Sequence, residues 1–581
     1  MASAVTTTGG PDPSPTVAHT LAASLRLHGV DRVFCVAGES YLPLLDALYD
    51  RPEVDVVTCR HEGSAAFMAV ADAKLTGRAG VCLVSRGPGA TNASIGVHAA
   101  AEDAAPLVLI VGDVPLPETD REPFQGIDLG RHLGGMAKAV WRLHEPAATA
   151  EFVARAIRVA ESGTPGPVVI AVPEDVWRLP DPKAVPSRRT VPSRSVPDRA
   201  SARRIEELLT DARRPLILAG AGLDDPLGRT LLRDVAQTHR IPVVTSNKNQ
   251  HLLPNRHPAY AGHLHNNTQA SQLAALDRAD LVLAIGTRLD TSTTRRRFPA
   301  GGPLQHVIHI HRDQTRLGLF HQPTVGVAAD PVAFLSELVA LPASDPDGGR
   351  ERWMAELHRI EEEKALWEPV ESDDGVVFGE VVATLDELTD GDVTMVVDSG
   401  TFTSWTYRYL RFGEEGRLLG ISSSSMGFAV GAAVSAALRR PRVPTVAVVG
   451  DGGFLMNGGE LMTACARGLP VVYIVSNNNC YGTIRMHQDR DFPGRTIATD
   501  LANPDFAALA ESFGAMGLTV TEPASIRPVL AKALAAGGPV VVEVRTSLRH
   551  ANPYRRIADP VPVTAPGADE QREGGHRDAV A

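Results

Sequence analysis

Along the chain, short apolar runs alternate with amphipathic stretches, and the alternation is seen in three successive blocks. In the first, Val54–Thr58, Val81–Val84 and Leu107–Val111 read as strands, and His61–Leu75 reads as a helix. In the second, the strand-like runs are Leu216–Ala219, Leu281–Ile285 and Val307–Ile310. In the third they are Met395–Val397, Val446–Val449 and Val471–Val475. These runs are apolar at consecutive positions, so both faces need cover. Strands buried on both faces and separated by helices predict parallel sheets with right-handed crossovers. The expected fold class is α/β, with three doubly wound parallel-sheet domains.

Proline- and arginine-rich stretches punctuate the pattern. Pro180–Arg199 (PDPKAVPSRRTVPSRSVPDR) has no apolar periodicity and reads as a linker; Ser344–Arg350 (SDPDGGR) is a softer boundary. The expected domains are 15–182, 200–342 and 370–560, with a helical segment, Glu351–Trp367, bridging the last two. The N-terminal MASAVTTTGGPDPSP and the tail from Pro566 read as frayed ends. No short-period repeat is visible, and a shared α/β plan does not require one.

Composition narrows the function. At 581 residues one core is too few, and roughly three or four domains is the expectation. Lys and Arg number 57 against 68 Asp and Glu, a net charge of −11 that excludes a generally basic nucleic-acid binder. The five cysteines are scattered and form no CxxC pair, so neither a disulfide framework nor a zinc site has support. Apolar stretches such as Phe428–Leu438 fall short of the ~18 residues a membrane-spanning helix needs. No basic region leads into an apolar run at the N-terminus. The expected setting is cytoplasmic, without membrane or nucleic-acid partners.

The stretch richest in chemistry is Val446–Gly482, VAVVGDGGFLMNGGELMTACARGLPVVYIVSNNNCYG. A strand enters Gly450-Asp451-Gly452-Gly453, a helical segment follows, and a second strand ends in Asn477-Asn478-Asn479. Glycines around Asp451 let the chain turn sharply and a ligand approach the backbone. Asp451 falls at a strand's C-terminal end, where open α/β sheets bind ligands. One carboxylate, one amide oxygen and a backbone carbonyl suit a hard divalent cation that also holds a diphosphate, and Mg²⁺ is that cation. Alone, the GDG turn reads more readily as a tight strand–helix turn with Asp as N-cap, and three asparagines as a polar loop. Their pairing on adjacent strand ends reverses that.

This stretch resembles the thiamine diphosphate (ThDP) motif, which begins GDG and ends NN. The resemblance implies that Asp451 and Asn478 are Mg²⁺ ligands with the Cys480 carbonyl as third, and that Gly452, Gly453 and Asn478 lie against the cofactor. The Cys480 thiol is then a small packed side chain. Four further matches follow. Val57–Ala69 (VTCRHEGSAAFMA) resembles the family's RHE pattern, which makes Glu62 the acid that relays a proton to the aminopyrimidine. On its own, Glu62 would be a first-turn carboxylate favoured by the helix dipole. Ser85–Asn92 (SRGPGATN) resembles the SGPGATN loop, bringing Pro88 and Asn92 to the cofactor. Ser422–Ala432 (SSSSMGFAVGA) resembles GAMGFGLPAA; Ser424 and Met426 would meet the pyrimidine, with Met426 holding the cofactor bent. Thr401, in Gly400-Thr401-Phe402-Thr403, stands where the family has GQHQ and would serve the phosphates. Glu122–Asp128 (EPFQGID) resembles the FQE segment of the acetolactate synthases, which implies catalytic roles for Phe124 and Gln125 on the substrate side.

The resemblance runs from about residue 16 to 560, in the order of pyrimidine-binding, central and diphosphate-binding domains of the acetolactate synthase large subunit family. It implies ThDP- and Mg²⁺-dependent decarboxylation of a 2-oxo acid with ligation of the activated aldehyde. In the family's reaction two pyruvates give 2-acetolactate and CO₂, a step of branched-chain amino acid biosynthesis. It also implies a homodimer or homotetramer with the cofactor between subunits, Glu62 from one and Asp451 from the other. A regulatory small subunit is left open.

Departures keep alternatives in view. The family's glycine-rich stretch near Val36–Tyr41 reads VAGESY here, placing Glu39 at the expected mouth, and Arg86 replaces a small residue. Both are candidate substrate contacts and a candidate ion pair. Gly220-Ala221-Gly222 and Gly286-Thr287-Arg288 resemble parts of a structural FAD site, but TSNKNQHL at 245–252 and GHLHNN at 262–267 do not, so FAD stays open. AGAGLDD lacks the third glycine of a nicotinamide fingerprint. A non-ligating decarboxylase, a carboligase with another donor or acceptor, and a catalytically silent subunit of the same fold are the other readings.

Overall fold

A computed structural model describes residues 15–185, 187–295, 297–299, 305–343, 345 and 348–557. Residues 1–14, the tail from Pro566 and residues 558–560 of the third expected domain lie outside them, as do three positions of the SDPDGGR boundary.

Three six-stranded sheets follow one another. The first holds β1 (Arg32–Cys35), β2 (Asp55–Thr58), β3 (Gly80–Ser85), β4 (Leu107–Asp113), β5 (Ala139–Arg142) and β6 (Pro167–Pro173). The second holds β7 (Pro215–Ala219), β8 (Val243–Thr245), β9 (Tyr260–His263), β10 (Leu281–Ile285), β11 (His306–His311) and β12 (Val325–Ala328). The third holds β13 (Thr394–Val397), β14 (Arg417–Leu419), β15 (Thr445–Gly450), β16 (Val471–Asn477), β17 (Met516–Val520) and β18 (Val540–Arg545). Neighbouring strands pair in parallel throughout. The α/β class with three parallel sheets is thus as the apolar runs predict. The central strands β4, β7, β10 and β16 are buried along their whole length, which is why they read as continuous rather than alternating apolar runs.

The first sheet is ordered β2-β1-β3-β4-β6-β5 and the third β14-β13-β15-β16-β18-β17, so strand for strand they share one topology. The middle sheet runs β12-β11-β10-β7-β8-β9, the doubly wound order of dinucleotide-binding folds. Among the described residues after Pro180 no helix or strand precedes Arg199–Asp211, whose N-cap Asp198 accepts from the Ala200 and Ser201 amides. The bridging helix is Gly349–Ala365; Trp353 and Leu357 bury against the middle sheet.

The first and third sheets are tied through helices rich in small residues. Gly96, in the helix Arg86–Asp103, lies so close to the helix Glu62–Thr76 that a Cβ there would sit 2.2 Å from Ala66 Cβ. Glu62–Thr76 in turn packs on Phe428–Arg439, with Phe67 and Phe428 edge to face at 5.5 Å, a pair worth ~0.5–1.5 kcal/mol beyond its burial. Arg439 spans the junction, bonding Asp72 at 2.5 Å and Asp31 at 2.7 Å. Its hydrogen bond and charge hold the Asp31 carboxyl down at about 2. Among the described residues, no helix is long and apolar enough to cross a membrane.

Candidate active site

Asp451 follows β15 directly and is the first residue of the helix Asp451–Asn457, with Gly450, not Asp451, as N-cap. Its side chain is therefore free of capping and turns toward the next strand end. Oδ1 accepts from the Gly452 amide at 2.8 Å; Oδ2 accepts from the Cys480 amide at 3.2 Å and from Asn503 Nδ2 at 2.9 Å. These donors are all neutral amides, and the carboxylate is 3% exposed. Burial pushes its pKa up, against the pull of those amides. β15 and β16 are adjacent, with Gly450 opposite Ser476, so Asn478 reaches the same edge; its Oδ1 meets the Cys480 amide at 3.1 Å. The Cys480 carbonyl accepts from the Gly482 amide at 2.8 Å and keeps a second lone pair. Its thiol is buried, and burial raises its pKa, which suits packing rather than nucleophilic chemistry. Among the described residues, no cluster of three or more His, Cys, Asp or Glu could hold a metal. The donor set here is one carboxylate with amide and carbonyl oxygens. A buried carboxylate supported only by neutral donors fits a hard, oxygen-seeking cation.

Glycines make the floor. A Cβ on Gly453 would lie 2.7 Å from Asp398 Oδ2, and one on Gly452 would lie 2.5 Å from the Tyr481 ring. Asp398 follows β13 directly, is 2% exposed, and accepts from the Ser399 amide at 2.7 Å and the Gly427 amide at 2.8 Å. Burial pushes its pKa up to about 7 despite those bonds and the nearby Lys248 charge. Lys248 comes from the middle domain, with its ammonium donating to the Ile421 carbonyl. Asp103 Oδ2 accepts from the Ser422 amide at 2.7 Å, and Lys74 pairs with Asp103 at 2.6 Å. Residues of all three domains thus pin the turn 421–427. Within it Ser424 is exposed with φ of +54°, and Met426 is half-buried. Gly427 has φ of +83°, a left-handed conformation that costs glycine nothing, and the helix starts one residue later at Phe428. Met426 is therefore in the turn, not at the helix start. Thr401 donates its amide to Thr483 Oγ1 at 3.0 Å.

On the first sheet, Glu62 opens the helix Glu62–Thr76 and is half-buried. Its Oε2 accepts from Asn92 Nδ2 at 2.9 Å, and a Cβ on Gly89 would stand 3.6 Å from its Oε1. His61 caps the helix, its Nδ1 accepting from the Gly63 amide at 3.0 Å. The preceding turn is held by Glu460 of the third domain, which accepts from the Arg60 and His61 amides at 2.8 and 3.1 Å. SRGPGATN is not a loop here: Arg86, with φ of +47°, begins a helix that includes Gly87, Pro88, Gly89 and Asn92. Pro88 and Asn92 are exposed. Proline within a first turn loses no helical hydrogen bond, so the turn closes despite it.

Arg86 is 11% exposed and bridges three neighbours. Nη2 meets Glu174 at 2.5 Å, and Nη1 lies 3.8 Å from Glu39 and 3.5 Å from Gln125 Oε1. Gln125 has φ of +61°, and its carbonyl accepts from the Gly87 amide at 2.8 Å. Phe124 beside it is 74% exposed. Non-glycine residues held at positive φ, as Arg86, Gln125, Ser424 and Asn479 are, cost energy and persist where surroundings fix them. The structure thus joins Glu62 with Asn92 and Gly89; Glu39 with Arg86 and Gln125; and Asp451 with Asn478, Cys480 and the glycines. Phe124, Pro88 and Thr401 have no side-chain bond to these groups. Sequence reasoning missed Asn503, Asp398, Lys248, Glu174 and Glu460. Asn503 arrives from a segment with no helix or strand, and no pattern marks it. Asp398 follows a strand directly, two residues before Gly400, a signal of the same kind as Asp451.

Comparison with known proteins defines the class. Residues 15–131, 202–338 and 398–544 match in turn the families described as thiamine pyrophosphate enzyme N-terminal TPP binding domain, central domain and C-terminal TPP binding domain. The chain belongs to the thiamine pyrophosphate enzyme family. It is 30% identical to the acetolactate synthase large subunit of Parasynechococcus marenigrum (strain WH8102), over 98% of this chain and 92% of that protein. It is 29% identical to the acetolactate synthase isozyme 2 large subunit of Escherichia coli (strain K12), over 90% and 94%. It is also 29% identical to a putative thiamine pyrophosphate-containing protein, YdaP, of Bacillus subtilis (strain 168), over 89% of each chain. Within the family it is an acetolactate synthase-like, ThDP-dependent enzyme.

Proposed function

We propose that the protein decarboxylates a 2-oxo acid and ligates the resulting acyl unit to a second carbonyl, using ThDP and Mg²⁺. The observation that carries this is the buried Asp451 carboxylate, held only by amide donors beside Asn478. Asp451, Asn478 and the Cys480 carbonyl would hold Mg²⁺, and Gly452, Gly453 and Thr401 would meet the diphosphate. Bound there, ThDP supplies an electron sink for the pair left when CO₂ departs. Glu62 exchanges a proton with the pyrimidine ring, and Asn92 orients its carboxylate. Pro88, Ser424 and Met426 shape the pyrimidine site; Phe124, Gln125, Glu39 and Arg86 face the substrate side. The domains are 15–182, 200–342 and 370–560, in a homodimer or homotetramer whose subunits share each cofactor.

In the family's reaction donor and acceptor are both pyruvate and the product is 2-acetolactate. A second reading, with a different acceptor, is favoured by the double carboxylate pairing of Arg86. Incubation with ThDP, Mg²⁺ and a panel of 2-oxo acids, with CO₂ release measured and products read by mass spectrometry, tests both. No ThDP-dependent CO₂ release from any donor would overturn the proposal.

A further inference from the structure

Arg86 stands at the C-terminal edge of the first sheet, three residues before Gly89, where an added Cβ would lie 3.6 Å from Glu62 Oε1. A Cβ on Gly38 would lie 2.4 Å from Ser85 Cβ, so the turn carrying Glu39 packs directly on this segment. A lone arginine here would attract the carboxylate of a 2-oxo acid acceptor. This one is already engaged by two carboxylates, Glu174 at 2.5 Å and Glu39 at 3.8 Å. The next acid, Asp113, is matched by Arg142 at 2.8 Å. One unbalanced negative charge therefore remains, and Glu39, 72% exposed, presents it to solvent. The segment 118–131 that follows, with Gln125 against Arg86, has four carboxylates against two arginines. Like charges facing one another across a binding surface reject a partner.

We infer that Glu39 and Glu174, by neutralising Arg86, select an uncharged aldehyde as acceptor over a second 2-oxo acid. This rests on the ThDP reading of the site. The donor's carboxyl C–C bond breaks and CO₂ leaves. The acyl carbon bonds to the aldehyde carbon, and the aldehyde oxygen takes one proton from solvent. With pyruvate as donor, CH₃COCOO⁻ + RCHO + H⁺ gives CH₃COCH(OH)R + CO₂.

The test offers the holoenzyme one donor with equimolar aldehyde and 2-oxo acid acceptors, following CO₂ and both products. The expected excess of aldehyde-derived product is about tenfold or more. Glu39→Gln with Glu174→Gln should cut that excess several-fold, and added salt should raise kcat/KM for the anionic acceptor more than for the aldehyde. Independently of turnover, saturation-transfer NMR on the ThDP-loaded Glu62→Gln protein should show a 2-hydroxy amide binding more tightly than its 2-hydroxy acid. The two carboxylate substitutions should close that gap. CO₂ release with the 2-oxo acid product dominant, or an unchanged partition and binding gap in the double variant, overturns the inference alone. Absence of ThDP-dependent CO₂ release overturns the underlying reading, and the inference with it.

Discussion

The first and third sheets share one strand order, so their loop-bearing edges can be compared position by position. After the first strand stand Gly38-Glu39 in one and Asp398-Ser399-Gly400 in the other. After the second stand Glu62 and the turn Ser424–Gly427; after the third, Arg86-Gly87-Pro88-Gly89 and Asp451-Gly452-Gly453. After the fourth, β4 ends at Asp113 and β16 runs into Asn478. The same slots are filled with opposite chemistry. Asp398 and Asp451 are buried and bonded by amides, whereas Glu39 and Glu62 are partly exposed, with an arginine and an asparagine for company. Buried oxygens with fixed donors suit anchoring a charged group. Accessible carboxylates suit exchanging protons and meeting substrate. One topology supplies the positions, and the side chains decide which half anchors and which half reacts.

That division breaks if the two carboxylates fail in the same way. Glu62→Gln should keep ThDP bound and lower kcat by roughly 10²–10⁴, the range of a general acid–base contribution. Glutamine still accepts from Asn92 but carries no exchangeable acid proton. Near-wild-type kcat would remove Glu62 from the chemistry. Asp451→Ala should fail earlier, at retention. Losing an outer partner of a metal ligand costs roughly 10–100-fold in affinity, so losing the ligand costs at least that. ThDP content after dialysis against Mg²⁺-containing buffer reads the effect, and stoichiometric cofactor in the variant would show that Asp451 anchors nothing.

The anchoring half was the more legible in sequence. Asp451 and Asn478 lie within one strand–helix–strand unit, so local order brings them together, and the unbroken apolar runs gave away the sheets. The reacting half is assembled over distance. Glu174 follows β6 and meets Arg86 across 88 residues; Glu460 clamps the turn before Glu62 across 400. Neither has a local pattern, because its partner's position depends on how helices pack. The resemblance to the SGPGATN loop makes SRGPGATN a loop, yet it forms a helix, with its glycines and proline in a first turn. β5 and β14 went unread because they are short and only partly apolar, whereas β6 and β18 went unread although their runs are as apolar as those of the strands that were read.

The smallest expected effect sharpens the comparison at the first slot, where Asp398 is buried and Glu39 is exposed. Burial raises the Asp398 pKa from 3.8 to about 7 in the folded protein. Between those values the folded state binds a proton that the unfolded state does not. Its contribution is therefore fully present below pH 3.8 and is lost as pH rises through about 7. Buried histidines slope the other way: His265 is held down to about 3 and His311 to about 4, chiefly by burial, so they add stability as pH rises toward their unfolded value. Only a difference between variants isolates Asp398. In the ThDP-free protein, the stability of wild type minus that of Asp398→Asn should fall between pH 5 and 7, by up to about 1.4 kcal/mol per pH unit. Lys248→Met removes a cation that lowers this pKa, so the same difference, taken between Lys248→Met and the Lys248→Met, Asp398→Asn double variant, should extend to higher pH. Parallel wild-type and Asp398→Asn unfolding curves across that window would show that the buried carboxylate stays ionised, and that its amide donors outweigh its burial.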